Sequence, residues 1–183
     1  MPFTFQPLDI PDVILIKPQL LKDDRGFFAE TYKETEFSAN GIQDRFVQDN
    51  HSKSKAGVLR GLHFQNHPKA QGKLVRVVNG SVFDVAVDLR KNSNTYGKWV
   101  SAILSADNAH MLWVPPGFAH GVFILEDDTH LLYKVTAVYS KEHDRSLRFD
   151  DPTLAIKWPD HKPELSEKDL YAPYLQDLDC NFD

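Results

Sequence analysis

The stretch Lys73-Leu74-Val75-Arg76-Val77-Val78-Asn79-Gly80-Ser81-Val82-Phe83-Asp84-Val85-Ala86-Val87-Asp88-Leu89 decides the fold class. Two runs rich in β-branched residues flank an Asn-Gly pair. Such a pair tolerates the positive φ angles of a type I′ turn, so a β-hairpin is predicted here. Beyond the turn, Phe83, Val85, Val87 and Leu89 alternate with Asp84, Ala86 and Asp88. Successive side chains of a strand point to opposite faces, so this run reads as a strand with one buried face.

Working outward, similar short runs occur at Val13–Ile16, Phe27–Tyr32, Phe46–Asn50, Val58–Gln65, Trp99–Leu104, Met111–Val114, Gly121–Leu125 and Leu131–Tyr139. Strands at such close spacing predict an all-β body, a sandwich or barrel, rather than alternating βα units. Helix signals are few. Thr35 to Gly41 ends in Asn40-Gly41, a good stop, so a short helix is expected near 33–40. Ser166 with Asp169 three residues later resembles a capping pattern that opens a C-terminal turn. The proline-dotted tail from about 158 to 183 is expected to wrap the formed body. At 183 residues the chain suits one domain.

A net charge of −5 and a pI near 5.9 argue against nucleic acid as a partner. They leave room for a small anion held by a few converging arginines and lysines. Cys180 is the only cysteine, so an intrachain disulfide is excluded and a reducing compartment fits. Neither a secretory signal nor a membrane-length apolar run is visible, and the expected address is the cytoplasm with no membrane contact.

The segment richest in chemistry is Val58-Leu59-Arg60-Gly61-Leu62-His63-Phe64-Gln65. An arginine and a histidine sit in a strand otherwise suited to burial. Read alone, the segment is more readily a solvent-facing Arg60 with His63 a core histidine bonded to backbone than a catalytic pair. Strict alternation would also put Arg60 and His63 on opposite faces. A bulge at Gly61 would relieve that, since an interior strand glycine often re-aims its neighbours.

Pro115-Pro116-Gly117-Phe118-Ala119-His120 matches the Pro-x-Gly-x-x-His pattern of cupin barrels, whose histidine is often a metal ligand. The other half of such a site is His-x-His followed by glutamate. Here it is replaced by His63-Phe64-Gln65, with Lys73 downstream, so a metal site lacks half its donors. A base acting without metal is the sharper reading. Histidine titrates near neutrality, and a carboxylate partner would fix its tautomer and orientation. Asp169 is a candidate partner, although by itself it is a helix-start residue complementing the dipole. Gln48-Asp49-Asn50 read alone as a strand exit, Lys73 as an edge lysine and Tyr133 as a core aromatic.

Together these segments resemble the dTDP-4-dehydrorhamnose 3,5-epimerase family. The matching pieces begin with Asp24-Arg25-Gly26-Phe27-Phe28-Ala29-Glu30, Phe46–Asn50, Arg60–Gln65 and Gln71–Val77. Gly80–Arg90, Pro116–Gly121 and Ser166–Asp169 follow, all in family order. The resemblance implies a cupin-like jelly roll with its active site inside the barrel, usually a homodimer. The implied substrate is dTDP-4-dehydro-6-deoxy-glucose, epimerised at C3 and C5 with no metal or other cofactor. It implies His63 as base, Asp169 as its partner, Tyr133 as acid and Lys73 as stabiliser of the enolate oxygen. Arg60 and Lys168 are expected near the diphosphate, with Gln48, Asp49, Asn50 and His120 touching the ligand. Arg25, Phe27 and Glu30 are expected in a partner subunit's pocket. Asp144 stands where the family commonly has glutamate, one methylene shorter, which leaves its ligand contact open.

The physical logic is consistent with these roles. A carbon proton beside a ketone is removable only if the developing oxyanion is stabilised, which an ammonium does. Inversion needs the proton returned from the opposite face, so a base and a separate acid must flank the sugar. The 4-keto group lies between C3 and C5, so one oxyanion site can serve both. The rivals are an epimerase acting at one carbon, a metal-dependent cupin enzyme, and a sugar-binding jelly roll without catalysis.

Overall fold

The computed structural model describes residues 2–160 and 162–183. Its strands, in chain order, begin with β1 (Phe3–Pro7), β2 (Ile14–Pro18), β3 (Leu21–Asp23), β4 (Gly26–Phe28), β5 (Gln48–Ser54), β6 (Leu59–Gln65) and β7 (Lys73–Asn79). They continue with β8 (Ser81–Asp88), β9 (Trp99–Ser105), β10 (Met111–Val114), β11 (Phe118–Ile124), β12 (Thr129–Val135) and β13 (Asp144–Ser146). Two short helices, α1 (Glu34–Ala39) and α2 (Glu167–Leu170), and a 3₁₀ turn at Leu175–Asp177 complete it.

The strands form a six-stranded sheet, β1-β2-β10-β7-β12-β5, and a five-stranded sheet, β13-β6-β11-β8-β9, with β3-β4 a separate hairpin. All pairings between these strands are antiparallel. From β5 to β13 the chain changes sheet at every connection except β8 to β9. This is the expected all-β, cupin-like jelly roll. Among the described residues, no helix is long and apolar enough to cross a membrane.

That topology corrects two local expectations. Asn79-Gly80 is not a hairpin, because β7 pairs with β10 and β12 while β8 pairs with β11 and β9. The turn is a corner between sheets. Gly80 has φ of +76°, and a Cβ there would meet the Thr129 side chain. Local turn chemistry reports a reversal of the chain. It cannot say whether the two arms pair or face each other across a core, and here Val75 and Val77 pack against Val82 and Ala86 from the opposite sheet.

The second correction concerns β8, which is buried on both faces. Phe83, Val85, Val87 and Leu89 do not face the space between the sheets. They face outward, under Trp158, Leu175 and Phe182 of the C-terminal tail, which packs over this face. Val82, Asp84, Ala86 and Asp88 are the inward set, so two aspartates point into the body of the protein.

Other elements shift modestly. The run Phe27–Tyr32 is a strand only at its start, and Leu131–Tyr139 ends at Val135. Phe46–Asn50 moves on to Gln48–Ser54, while Gly121–Leu125 begins earlier, at Phe118. Strands β1, β3 and β13 were not signalled by local pattern. The short helix forms as expected and stops at Gly41, φ +89°. Phe37 on its inner side joins Phe3, Ile16, Ile42, Leu74, Met111 and Trp113 in a core that covers the outer face of the larger sheet.

Candidate active site

A bulge in β6 builds the site. Opposite β11, the register runs His120 to His63 and then Val122 to Arg60, so β6 carries one extra residue over this stretch. Gly61 sits in it with φ of +131°, and a Cβ there would lie 2.6 Å from the Gly121 Cα. Only glycine suits that backbone and that close approach. The extra residue restores a common face, and Arg60 and His63 line the same cavity of about 520 Å³.

Strand neighbours place the rest. His120 lies directly across from His63 on β11, and Tyr133 and Lys73 enter from the facing sheet. An adjoining recess of about 250 Å³ shares His63, Lys73, Tyr133 and Lys168 and adds Gln48, Asn50, Tyr139 and Asp144. The two volumes adjoin in one cleft at His63, Lys73, Tyr133 and Lys168.

His63 Nε2 is 2.5 Å from Asp169 Oδ1. An ionised carboxylate only accepts, so the proton resides on Nε2 and Nδ1 carries the free lone pair. Asp169 is 3% exposed. Burial acts to raise its pKa, but the hydrogen bond and charge of His63, with the Ser166 hydroxyl and Gly61 N–H, leave it below the ordinary value. Ser166 caps α2 by accepting from the Asp169 N–H at 3.2 Å, so the expected cap is what delivers the carboxylate.

Lys73 is buried, 7% exposed, and its Nζ donates to the His63 carbonyl at 3.0 Å. It therefore starts from one sheet and reaches a strand of the other. Burial pulls its pKa down to about 8, against the attraction of Asp84 and Asp144. Burial raises the Tyr133 phenol above its ordinary pKa, with Arg60 opposing, so the hydroxyl keeps its proton at neutral pH.

At the rim, Arg60 is fixed by Nε donating to Ser54 Oγ at 3.0 Å. Lys168 Nζ lies 2.5 Å from Asp144 Oδ2, and the Tyr139 hydroxyl donates weakly to the same oxygen at 3.4 Å. Gln48 donates to Asn50 Oδ1 at 2.8 Å and accepts from the Tyr139 N–H at 3.0 Å.

Four expected site residues do not reach this cavity in the chain that carries them. Asp49 alternates with Gln48 and Asn50, so it faces the opposite side of β5 and pairs with Lys134 at 2.9 Å. Arg25, Phe27 and Glu30 lie on or beside the exposed β3-β4 hairpin, where Arg25 pairs with Asp23.

Two residues escaped the reading of the sequence. Tyr139 lies just beyond a strand, and nothing local marks it as facing the cleft. Asp84 was assigned to solvent by alternation, yet it is 0% exposed and accepts from His120 Nε2 at 2.8 Å. A second aspartate two residues on, Asp88, is also buried, held by Arg90, Ser93 and Thr95.

Both cavity histidines have Nε2 engaged by a carboxylate, and the Gln65 amide donates instead to the Lys69 and Val138 carbonyls. Among the described residues, no three His, Cys, Asp or Glu side chains converge as a ligand set.

A family model described as dTDP-4-dehydrorhamnose 3,5-epimerase matches residues 7–177. The chain belongs to the dTDP-4-dehydrorhamnose 3,5-epimerase family. An enzyme so named from Shigella flexneri is 51% identical over 172 residues, covering 93% of this chain and 95% of that one. Another from Sinorhizobium fredii is 53% identical over 180 residues, covering 97% and 92%. The dTDP-6-deoxy-D-glucose-3,5-epimerase of Legionella pneumophila, solved in complex with dTDP-4-keto-L-rhamnose, superposes with a TM-score of 0.93 at 45% identity, covering 97% of this chain and 95% of that one. The protein is thus an isomerase, a sugar-nucleotide 3,5-epimerase of dTDP-rhamnose biosynthesis.

Proposed function

We propose that this 3,5-epimerase inverts dTDP-4-dehydro-6-deoxy-D-glucose with His63 Nδ1 as base and the Tyr133 hydroxyl as acid. One observation carries the reading. A histidine with its tautomer fixed by a buried carboxylate and a protonated phenol line one cavity from opposite sheets, and a buried ammonium reaches from one sheet to the other. His63 removes the proton from the carbon beside the ketone, and Asp169 favours the imidazolium that results. Lys73 takes the negative charge that develops on the 4-keto oxygen. Tyr133 then delivers a proton to the other face, which inverts the centre. Once His63 has released its proton to solvent and Tyr133 has regained one, turning the second α-carbon toward the same pair repeats the sequence without a new site.

Side chains alone supply this chemistry, with no metal or organic cofactor. Arg60 and Lys168 are assigned to the diphosphate, and Gln48, Asn50, His120 and Asp144 to the remaining polar contacts. Asp49, paired with Lys134, faces away from this cleft.

The functional unit is proposed to be a homodimer. The β3-β4 hairpin exposes Phe27 and Phe28 at 60% and 66%, and neither ring nor Arg25 serves its own cavity. In a dimer, Arg25, Phe27 and Glu30 would close the nucleotide end of the partner's cleft. A cytoplasmic location fits a free thiol and a soluble sugar-nucleotide substrate.

The test is incubation with the 4-keto-6-deoxy nucleotide in D2O. Deuterium should enter at both C3 and C5. Label at one carbon would reduce the enzyme to a mono-epimerase, and binding without label would leave only a sugar-binding barrel. Activity removed by a chelator and restored by a divalent ion would overturn the cofactor-free chemistry.

A further inference from the structure

Behind the base and the ammonium lies a second histidine–carboxylate pair. Asp84 on β8 is fully buried. One oxygen accepts from His120, while the other, Oδ2, is buried with no hydrogen-bond partner among the described residues. A buried carboxylate with an idle oxygen is costly unless a positive charge stands near enough to offset it. The positive charges of this cavity are few. Among the described residues, Lys73 is the buried one, and its ammonium makes a single hydrogen bond, to a neutral carbonyl.

We propose that Asp84 is a positioning residue for the epimerisation: with Oδ1 it fixes the ring of His120, and with its charge it keeps the Lys73 ammonium in place as the enolate's partner. This rests on the proposed role of Lys73. The titratable and charged groups that share its cavity or bear on its charge are Asp84 from β8, His63 and Arg60 from β6, His120 from β11, Tyr133 from β12, Tyr139, Asp144 from β13, Glu164, and Lys168 and Asp169 from α2. Of the charges that bear on it, Asp84 favours the protonated state most, Asp144 follows, and Lys168 opposes. Asp144 is already engaged by Lys168, which leaves Asp84 as the carboxylate most free to act on Lys73.

The carboxylate also sets the chemistry of His120. With Nε2–H given to Asp84, the ring offers Nδ1 as an acceptor, suited to a sugar hydroxyl beside the ketone. Two histidines directly opposite on neighbouring strands thus receive the same tautomer from two separate aspartates, Asp169 and Asp84. One ring works on a carbon proton, and the other holds the sugar at the correct height.

The test is Asp84→Asn, which keeps the shape and an acceptor for His120 but removes the charge. Losing an opposite charge at close range lowers a lysine pKa by about one to three units. The basic limb of the D2O exchange rate should move toward acid by that amount, giving at pH 8 roughly a fivefold loss for the smallest shift. Asp84→Glu keeps the charge, so its limb should stay near that of the wild type even if its rate falls. A limb unmoved in Asp84→Asn, or an equal loss at every pH, would overturn the proposal. Should Asp84→Asn not fold, ¹⁵N spectra of the wild-type His120 ring decide: a proton on Nε2 at neutral pH supports the assignment, and a proton on Nδ1 overturns it. A wild type that exchanges neither carbon would instead remove the reading of Lys73 on which this rests, so the two failures are distinguishable.

Discussion

Replacing Lys73 by methionine should make the protein more stable and much less active. The reasoning starts from burial: the ammonium is 7% exposed, and its pKa falls from 10.5 to about 8. That difference is about 2.5 units, and at about 1.4 kcal/mol per unit it is worth roughly 3 kcal/mol against the folded state at neutral pH. The sign follows from proton counting. Between pH 8 and 10.5 the unfolded chain keeps the proton and the folded one releases it, so this contribution to stability rises with pH and the penalty is full below 8. Methionine has similar length and no charge. It forfeits the hydrogen bond to the His63 carbonyl, worth about 1 kcal/mol. The attraction of Asp84 is already contained in that lowered pKa, so the net gain should be about 2 kcal/mol. Urea denaturation of both proteins at pH 7 and pH 9.5 measures it, and the gain should shrink at the higher pH. Exchange of the substrate α-protons should meanwhile drop about 10²–10³-fold, the usual result of removing one oxyanion partner. A variant that is both active and less stable would refute the reasoning, because Lys73 would then be a structural residue.

The wild-type exchange rate should decline as pH rises through about 8, where Lys73 loses its proton, and a plateau extending to pH 10 would contradict this. Asp169→Asn should slow exchange by about 10²–10⁴-fold, since the amide cannot favour the imidazolium, and rapid-quench assays would show it. The stability that ionised Asp169 contributes is present above the unfolded carboxylate pKa and is lost as pH falls through its lowered folded value, so acid unfolding of Asp169→Asn should be shallower over that range. Tyr133→Phe should retain deuterium exchange by His63 while inverted product falls about 10²–10⁴-fold, as a ¹H NMR product count would reveal. Gly61→Ala should destabilise by about 2–4 kcal/mol, because its Cβ would collide with the β11 backbone at a φ of +131°; a loss under 1 kcal/mol in chemical denaturation would argue against the bulge.

Much of this was legible in the residues. The density of β-branched runs fixed an all-β body, since such side chains suit a pleated, half-buried surface. The glycine at 61 foretold a bulge, because a strand that must show Arg60 and His63 on one face needs an extra residue. The order of the segments carrying Arg60, His63, Lys73 and His120 marked the family, and the capping pattern at Ser166 brought Asp169 forward, although its contact with His63 over 106 positions of chain could not be read.

What the sequence left open was sidedness. Periodicity in β8 separates two faces correctly but is silent on which one meets the sandwich interior and which one the C-terminal tail. On pattern alone the more apolar face is the expected core, which puts Asp84 toward solvent. In the same way Asn79-Gly80 announced a reversal of the chain, and only the packing of Val75 and Val77 against Val82 and Ala86 made it a corner. Local chemistry determines where a strand begins, turns and bulges, because those choices act over a few residues. Which face is inside depends on what the rest of the chain lays over it, and that is decided only when both sheets and the tail are assembled.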